Sequence, residues 1–405
     1  MELTGIVAEY NPFHNGHQYH LMQTNALQQA DGIVAVMSGN FTQRGEAAVF
    51  DKWTRAEMAL RCGVDLVLEL PVAFAVRSAA YFAQGAVLTL AATGAVSWLS
   101  CGVESQNATE LEQLAAFLLE ELPEYQQRLH QQLDLGLSFP AARQKALEQL
   151  QIAGAEQLQS PNNILALQYL QTIQQYHLPI TPVLISRLGS YNDDKVPLSS
   201  QGFASASAIR KLLYEENSLW QEQIPDAVRL LIHEKFQQGY LPMQNHCFDQ
   251  ILLALLRRST PDQLADILEM NEGLENRLYS AAHQVNTLDE LCAAVKSKRY
   301  TYTRLQRTCI HLLLNMTQQL QQWQEPQYLR VLGFTAKGQK ILKELKKTAQ
   351  LPILIRPARQ RQQLTEQGRQ MLALDCRATN LYYMGYPLPS LRKINLDLLQ
   401  MPVQV

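Results

Sequence analysis

Apolar residues in the first 210 positions come in short, nearly solid runs rather than in strict alternation with polar ones. Residues 5–10, 32–39, 65–71, 95–100 and 181–186 are such runs, bounded by Gly, Pro, Asn or Asp. A run that is apolar at almost every position suits a strand covered on both faces, as in the interior of a parallel sheet. Stretches of helical period follow the first two runs, at about residues 17–29 and 52–62. Strands separated by helices make βαβ units. The pattern therefore predicts an α/β domain built on a Rossmann-like, doubly wound parallel sheet. Residues 109–150, rich in Leu and Gln, keep helical spacing and read as helices inserted between strands.

Beyond about residue 211 the period changes. Segments 228–236, 248–257, 264–268 and 309–320 carry apolar residues at helix spacing, which predicts a mainly helical second part. Residues 328–334 and 351–355 are strand-like and flank a helical 338–347, a grouping that reads as a small α/β appendage. The division predicted is an α/β domain over 1–215 and a mainly helical region over 216–405.

Composition adds less. With 405 residues, 47% of them hydrophobic and 18% charged, the chain has the make-up of an ordinary globular protein of two or three domains. No apolar run reaches the roughly 18 residues that span a bilayer. The first residues lack the basic and apolar segments of a signal peptide. The six cysteines are scattered without a CxxC pair, which implies neither a disulfide framework nor a zinc site and points to a cytoplasmic protein.

Charge does change the picture. The net charge of −2 conceals a basic tail: from Lys296 onward there are 18 Lys and Arg against 5 Asp and Glu, leaving 17 basic and 32 acidic residues before it. Such asymmetry suits a polyanionic partner for the basic part. A solvated basic surface is the plainer alternative.

The first apolar run leads into Tyr10-Asn11-Pro12-Phe13-His14-Asn15-Gly16-His17. A strand, a tight turn and His-x-Gly-His at a helix start form a sensible nucleotide site. The helix start offers free N–H groups to phosphate, and Gly16 leaves room for the base. His14 and His17, three residues apart, share one helix face and can donate hydrogen bonds to charge developing on an α-phosphate. His20 continues the spacing. Zinc ligation by the three histidines, or burial as satisfied core residues, are the competing readings.

Ser205-Ala206-Ser207-Ala208-Ile209-Arg210 is a second signal. Small hydroxyls before a basic residue can cap a helix and bind phosphate oxygens, while Arg210 neutralises a triphosphate. A simple serine cap is the alternative. Ligands of open α/β sheets lie beyond the carboxyl ends of the strands, which singles out Gly102 and Arg187 after two of the runs, and Asn162 at a helix start. Each of these three also has an ordinary structural reading, as a turn, a surface charge and a cap.

His-x-Gly-His together with the serine-rich element resembles the nucleotidylyltransferase superfamily. Residues 7–17, 36–46, 63–71 and 298–307 narrow this further. They resemble the bacterial tRNA(Met) cytidine acetate ligases, over essentially the whole chain. The resemblance implies an enzyme that makes acetyl-adenylate from acetate and ATP. It then acetylates N4 of the wobble cytidine of elongator tRNA(Met). It also implies ATP contacts at Val7, Ala8, Glu9, Tyr10, Asn11, Pro12, Phe13, His14, Asn15, Gly16, His17 and His20. Gly102, Asn162, Arg187, Leu188, Ser205 and Ser207 complete that set. The catalytic roles fall to His14, His17 and Arg210, with Mg²⁺ expected beside the triphosphate. Alanine stands at position 206, where relatives of the superfamily often carry Ser or Thr.

Lys296, Lys298, Arg299, Arg304 and Arg307 are interleaved with Tyr300 and Tyr302, joining cations for phosphate with rings for base stacking. Arg356, Arg359 and Arg361 form a second basic knot, and residues 337–347 a third. These are the candidate tRNA contacts. Two other functions fit parts of the pattern: an adenylyltransferase of a small phosphorylated cofactor precursor, and a noncatalytic nucleotide-sensing RNA-binding protein.

Overall fold

A computed structural model describes residues 1–28, 30–104, 108–187 and 203–405. Its centre is an eight-stranded sheet. Strands β1 (Leu3–Ala8), β2 (Gly32–Ser38), β3 (Leu66–Leu70), β4 (Val96–Val103) and β5 (Thr181–Ser186) are parallel and lie in the order β3-β2-β1-β4-β5. All seven residues of β2 and all five of β3 are buried, which is why these runs are solid rather than alternating. The strand order reverses between β1 and β4, where an open α/β sheet opens a crevice.

Helix α1 (Asn15–Leu27) follows β1, and α2 (Lys52–Arg61) follows β2. Asp51 starts α2 by accepting from the backbone N–H groups of Trp53 and Thr54 at 3.0 and 3.1 Å. The leucine-rich stretch forms the helices Ala108–Leu119, Pro123–Asp134 and Phe139–Gln149, inserted between β4 and β5 as expected.

The second part is mainly helical, but the sheet does not stop near residue 215. Strand β6 (Leu329–Phe334) pairs antiparallel with β3, and β7 (Ile353–Leu354) and β8 (Val403–Gln404) pair with β6. The segment expected as a separate α/β appendage is therefore the far edge of the central sheet. All six residues of β6 are buried, so the strand has no surface on which to stand apart. The basic helix there, Ala336–Thr348, packs back on β2 and β3.

A buried charge cluster fastens this edge. Lys52 Nζ reaches Glu69 Oε1 and Asp397 Oδ1, each at 2.6 Å, and Arg330 meets the same Asp397 oxygen at 3.2 Å. Asp397 thus joins the last short helix, Leu396–Leu399, to α2, β3 and β6. Nearby, Asp375 accepts from Val72 N and Tyr328 Oη, and burial followed by the Glu69 carboxylate pushes its pKa up to about 8.

The helix expected over 309–320 runs instead from Tyr302 to Leu314, because Asn315 takes a left-handed conformation (φ 49°) and ends it. This shift sets Arg304 and Arg307 on its first turns. Among the described residues no helix is long and apolar enough to cross a membrane.

Candidate active site

A cavity of about 640 Å³ opens at the carboxyl ends of β1, β4 and β5. Its floor is the end of β1 and the start of α1. One wall holds Gly102, Asn162 and Arg187, another Ser205, Ser207 and Arg210, and Arg299, Arg304 and Arg307 stand on a third side.

His14 is the N-cap of α1, and its Nδ1 accepts the Gly16 N–H at 3.0 Å. His17 reaches back, its Nδ1 accepting the His14 N–H at 3.3 Å. The two imidazoles thus complete a reciprocal capping box in which each ring replaces the usual hydroxyl or carboxylate. Their ring centroids are 3.8 Å apart, and the His17 ring stands edge-on to Tyr10 at 5.0 Å.

This geometry decides the tautomer. A ring nitrogen that accepts an N–H carries no proton, so each neutral ring bears its proton on Nε2. Burial, with the charges of Arg187 and Arg210, lowers the pKa of His14 to about 3. Burial and the neighbouring His14 hold His17 well below the ordinary histidine range. Both rings are therefore neutral Nε2–H donors at physiological pH. His20 is lowered to about 4 by burial and Arg187, and its Nε2 meets Ser100 Oγ at 2.9 Å. Among the described residues no three His, Cys, Asp or Glu side chains gather as metal ligands, which removes the zinc reading of the histidines there.

Gly16, which lines the cavity, also has a packing role. A β-carbon there would lie 2.8 Å from the His14 ring, so the glycine makes room for the capping imidazole. Asn11 is structural as well as cavity-lining: its Oδ1 accepts Val49 N at 2.7 Å. Pro12, Phe13 and Asn15 are not part of the lining. Phe13 is fully buried core, and Asn15 Nδ2 donates to Glu222 O at 3.0 Å.

The Arg187 stem lies over Gly102, where a β-carbon would meet its Cγ at 3.3 Å. Asn162 donates to the Glu104 carboxylate. Ser205 caps the helix Ala206–Tyr214 through Ala208 N and meets Ser207 Oγ at 2.9 Å, so it combines the capping and cavity-lining roles. Arg210 donates to Asn11 O and pairs with Glu46, each at 3.0 Å. Leu188 lies outside the described residues.

On the RNA side, Arg304 pairs with Glu272 at 3.0 Å and Arg307 with Glu269 at 3.2 Å, while Arg299 stands 4.0 Å from Glu272. Lys296 and Lys298 are exposed near them, outside the cavity lining. Arg356 and Arg359 are exposed after β7, four strands from β1 in the sheet order and thus roughly 19 Å away at ordinary strand spacing.

The cavity also brings in Gln43, Arg44 and Glu46, which were not singled out from the sequence. Their only signal was their place in residues 36–46, one of the segments that carry the family resemblance. Gln43 N donates to Glu9 Oε1 at 2.7 Å, and its Nε2 to Arg77 O at 2.9 Å. Aromatic lining from Phe82, Phe139, Tyr169 and Phe203 comes from four separate parts of the chain and left no local signature.

Comparison with known proteins bears on the family and the fold. The family model described as HIGH Nucleotidyl Transferase matches residues 1–396. A tRNA(Met) cytidine acetate ligase of Syntrophomonas wolfei is 41% identical, the match covering 100% of this chain and 99% of the relative. That of Thermoanaerobacter sp. is also 41% identical, over 95% and 96%. The crystal structure of Thermotoga maritima TmcAL bound with alpha-thio ATP superposes with a TM-score of 0.93 at 36% identity, covering 100% of both chains. Its apo form superposes with a TM-score of 0.95.

Proposed function

The chain belongs to the tRNA(Met) cytidine acetate ligases, within the HIGH nucleotidyl transferases, and from that membership we infer that it is an ATP-dependent acetate ligase acting on tRNA(Met). Two half-reactions follow. First, an acetate oxygen bonds to the α-phosphorus of ATP and pyrophosphate leaves, giving acetyl-adenylate. Then the N4 amine of the wobble cytidine bonds to the acetyl carbon and AMP leaves. The product is N4-acetylcytidine in elongator tRNA(Met), which gives the enzyme a cytoplasmic place of work.

The observation that carries this reading is the pair of neutral Nε2–H donors, His14 and His17, at the start of α1. They share one cavity with Arg187 and with the arginines of the helix Tyr302–Leu314. Donors fixed by the helix cap need no reorganisation as charge builds on the α-phosphate. Arg187 and Arg210 lower the repulsion between acetate and triphosphate. The region 216–405 supplies the RNA contacts: Arg299, Arg304 and Arg307 flank the cavity, Lys296 and Lys298 stand beside them, and Arg356 and Arg359 extend the basic surface. An anticodon loop is single-stranded, so presenting one base to the cavity costs little.

Mg²⁺ fits as an ion carried in by the phosphates. Among the described residues the acidic side chains of the cavity are Glu9 and Glu46, of which Glu46 is already paired with Arg210. Nucleotide-borne Mg²⁺ needs at most one or two carboxylates. When bound it would neutralise the triphosphate oxygens.

Acetate-dependent exchange of pyrophosphate into ATP tests the first half-reaction. His14→Ala and His17→Ala should each lower the exchange rate by about 10²–10³ while the protein stays folded by circular dichroism. Exchange that does not require acetate would contradict the reading.

A further inference from the structure

Acyl transfer to an exocyclic cytosine amine has a requirement that the histidines do not meet. The N4 lone pair is conjugated with the ring, so attack on a carbonyl makes the nitrogen acidic and a base must take its proton as the bond forms. His14 and His17 cannot serve. Their Nδ1 atoms are occupied by backbone N–H groups and their Nε2 atoms already carry protons.

Glu9, the residue after β1, has the properties that the histidines lack. It lines the same cavity as His14, His17, Arg299, Arg304 and Arg307. One carboxylate oxygen, Oε1, is held by Gln43 N at 2.7 Å, and the other takes no hydrogen bond among the described residues. Its position is built from below. The fully buried Arg55 donates to Glu9 O and also to Ser38 O, Gly39 O and Phe50 O, tying the ends of β1 and β2 to the start of α2. Such a guanidinium, its hydrogen bonds spent on carbonyls, fixes the backbone under Glu9 and donates none of them to its carboxylate.

The other cavity carboxylate among the described residues, Glu46, is paired with Arg210 and is a poorer acceptor. Burial, opposed by the Gln43 N–H, helped by the Glu46 charge and opposed again by the Arg44 and Arg210 charges, raises the Glu9 pKa above the ordinary glutamate value. The shift brings it closer to the pH at which a general base works well.

Resting on the ligase reading above, we propose that Glu9 is the general base of the acetyl-transfer half-reaction. The cytidine N4–C bond forms, the N4 proton passes to the free Glu9 oxygen, and the bond from the acetyl carbon to the AMP oxygen breaks. AMP leaves as an anion, and Glu9 returns its proton to water.

The test separates the two half-reactions. Glu9→Gln and wild type are compared in acetate-dependent pyrophosphate exchange, and in single-turnover transfer from preformed acetyl-adenylate to tRNA, across pH 5.5–8.5. The proposal expects transfer to fall by about 10²–10⁴ in Glu9→Gln, with a loss in exchange at least tenfold smaller. The acidic limb of the wild-type transfer profile should vanish in the variant. Equal losses in both steps would overturn the proposal, as for a glutamate that holds Mg²⁺ on the triphosphate or supports the fold. So would a variant whose transfer rate and pH profile match wild type. A wild-type protein that exchanges pyrophosphate but acetylates no tRNA overturns the ligase reading itself, and the role of Glu9 with it.

Discussion

Gly45 and Arg307 meet backbone to backbone: a β-carbon on Gly45 would lie 2.3 Å from the Arg307 nitrogen. Gly45 also has φ 77°, a conformation that a side chain makes costly. The contact joins the loop that carries Gln43, Arg44 and Glu46 to the helix that carries Arg304 and Arg307. Two sequence segments that looked separate are thus one wall of the cavity.

Gly45→Ala should therefore destabilise the protein by at least about 2 kcal/mol and raise KM for tRNA, as the helix moves off the loop. Thermal unfolding and steady-state acetylation at varied tRNA check both. An unshifted Tm would mean that the contact is not held in solution.

His14 gives a pH dependence of stability. Its folded pKa, near 3, lies below the ordinary value of 6.5, so the unfolded chain takes up a proton that the folded chain refuses. Stability from this group is complete above about pH 6.5 and is lost as pH falls toward 3, by up to about 1.4 kcal/mol per unit. Urea midpoints between pH 7 and 5 should fall, less steeply in His14→Ala. Pyrophosphate exchange should show no inflection near 6.5 that His14→Ala removes, since the ring is neutral throughout.

Lys52→Met should be strongly destabilising. It leaves the buried carboxylates of Glu69 and Asp397 without the ammonium 2.6 Å from each. Breaking a buried ion pair from one side costs about 3–5 kcal/mol. Urea denaturation measures it, and a loss under 1 kcal/mol would contradict the role given to the cluster in fastening the last residues of the chain.

Arg299→Ala and Arg304→Ala should weaken tRNA binding and flatten its salt dependence. Each lost phosphate contact reduces the slope of log K against log salt by about 0.7–0.9. Arg356→Ala with Arg359→Ala should flatten it further, because these two arginines extend the basic surface toward β7. Filter binding at several salt concentrations separates the two regions, and slopes equal to wild type would remove them from the interface.

Much of this was readable locally, and the failures have physical causes. The solid runs of β2 and β3 and the His-x-Gly-His turn need only neighbouring residues to be recognised. Helix Ala79–Ala91 was not anticipated because it is apolar on most faces and so lacks a helical period. The partnership of β6 with β3 is decided by packing between distant parts of the chain, as is the burial of Arg55, which composition alone would leave on the surface. Gly16 was legible as a required glycine, but its packing role was not. The His14 ring that fills its space becomes visible only once α1 is formed.

The central claim is tested most directly by incubating the purified protein with ATP, Mg²⁺, acetate and total bacterial tRNA, then digesting the tRNA and measuring N4-acetylcytidine by mass spectrometry. The account predicts acetylcytidine only when ATP, acetate and tRNA are all present, and its loss with His14→Ala or His17→Ala. No acetylcytidine in the complete mixture, or formation that does not need acetate, would contradict it.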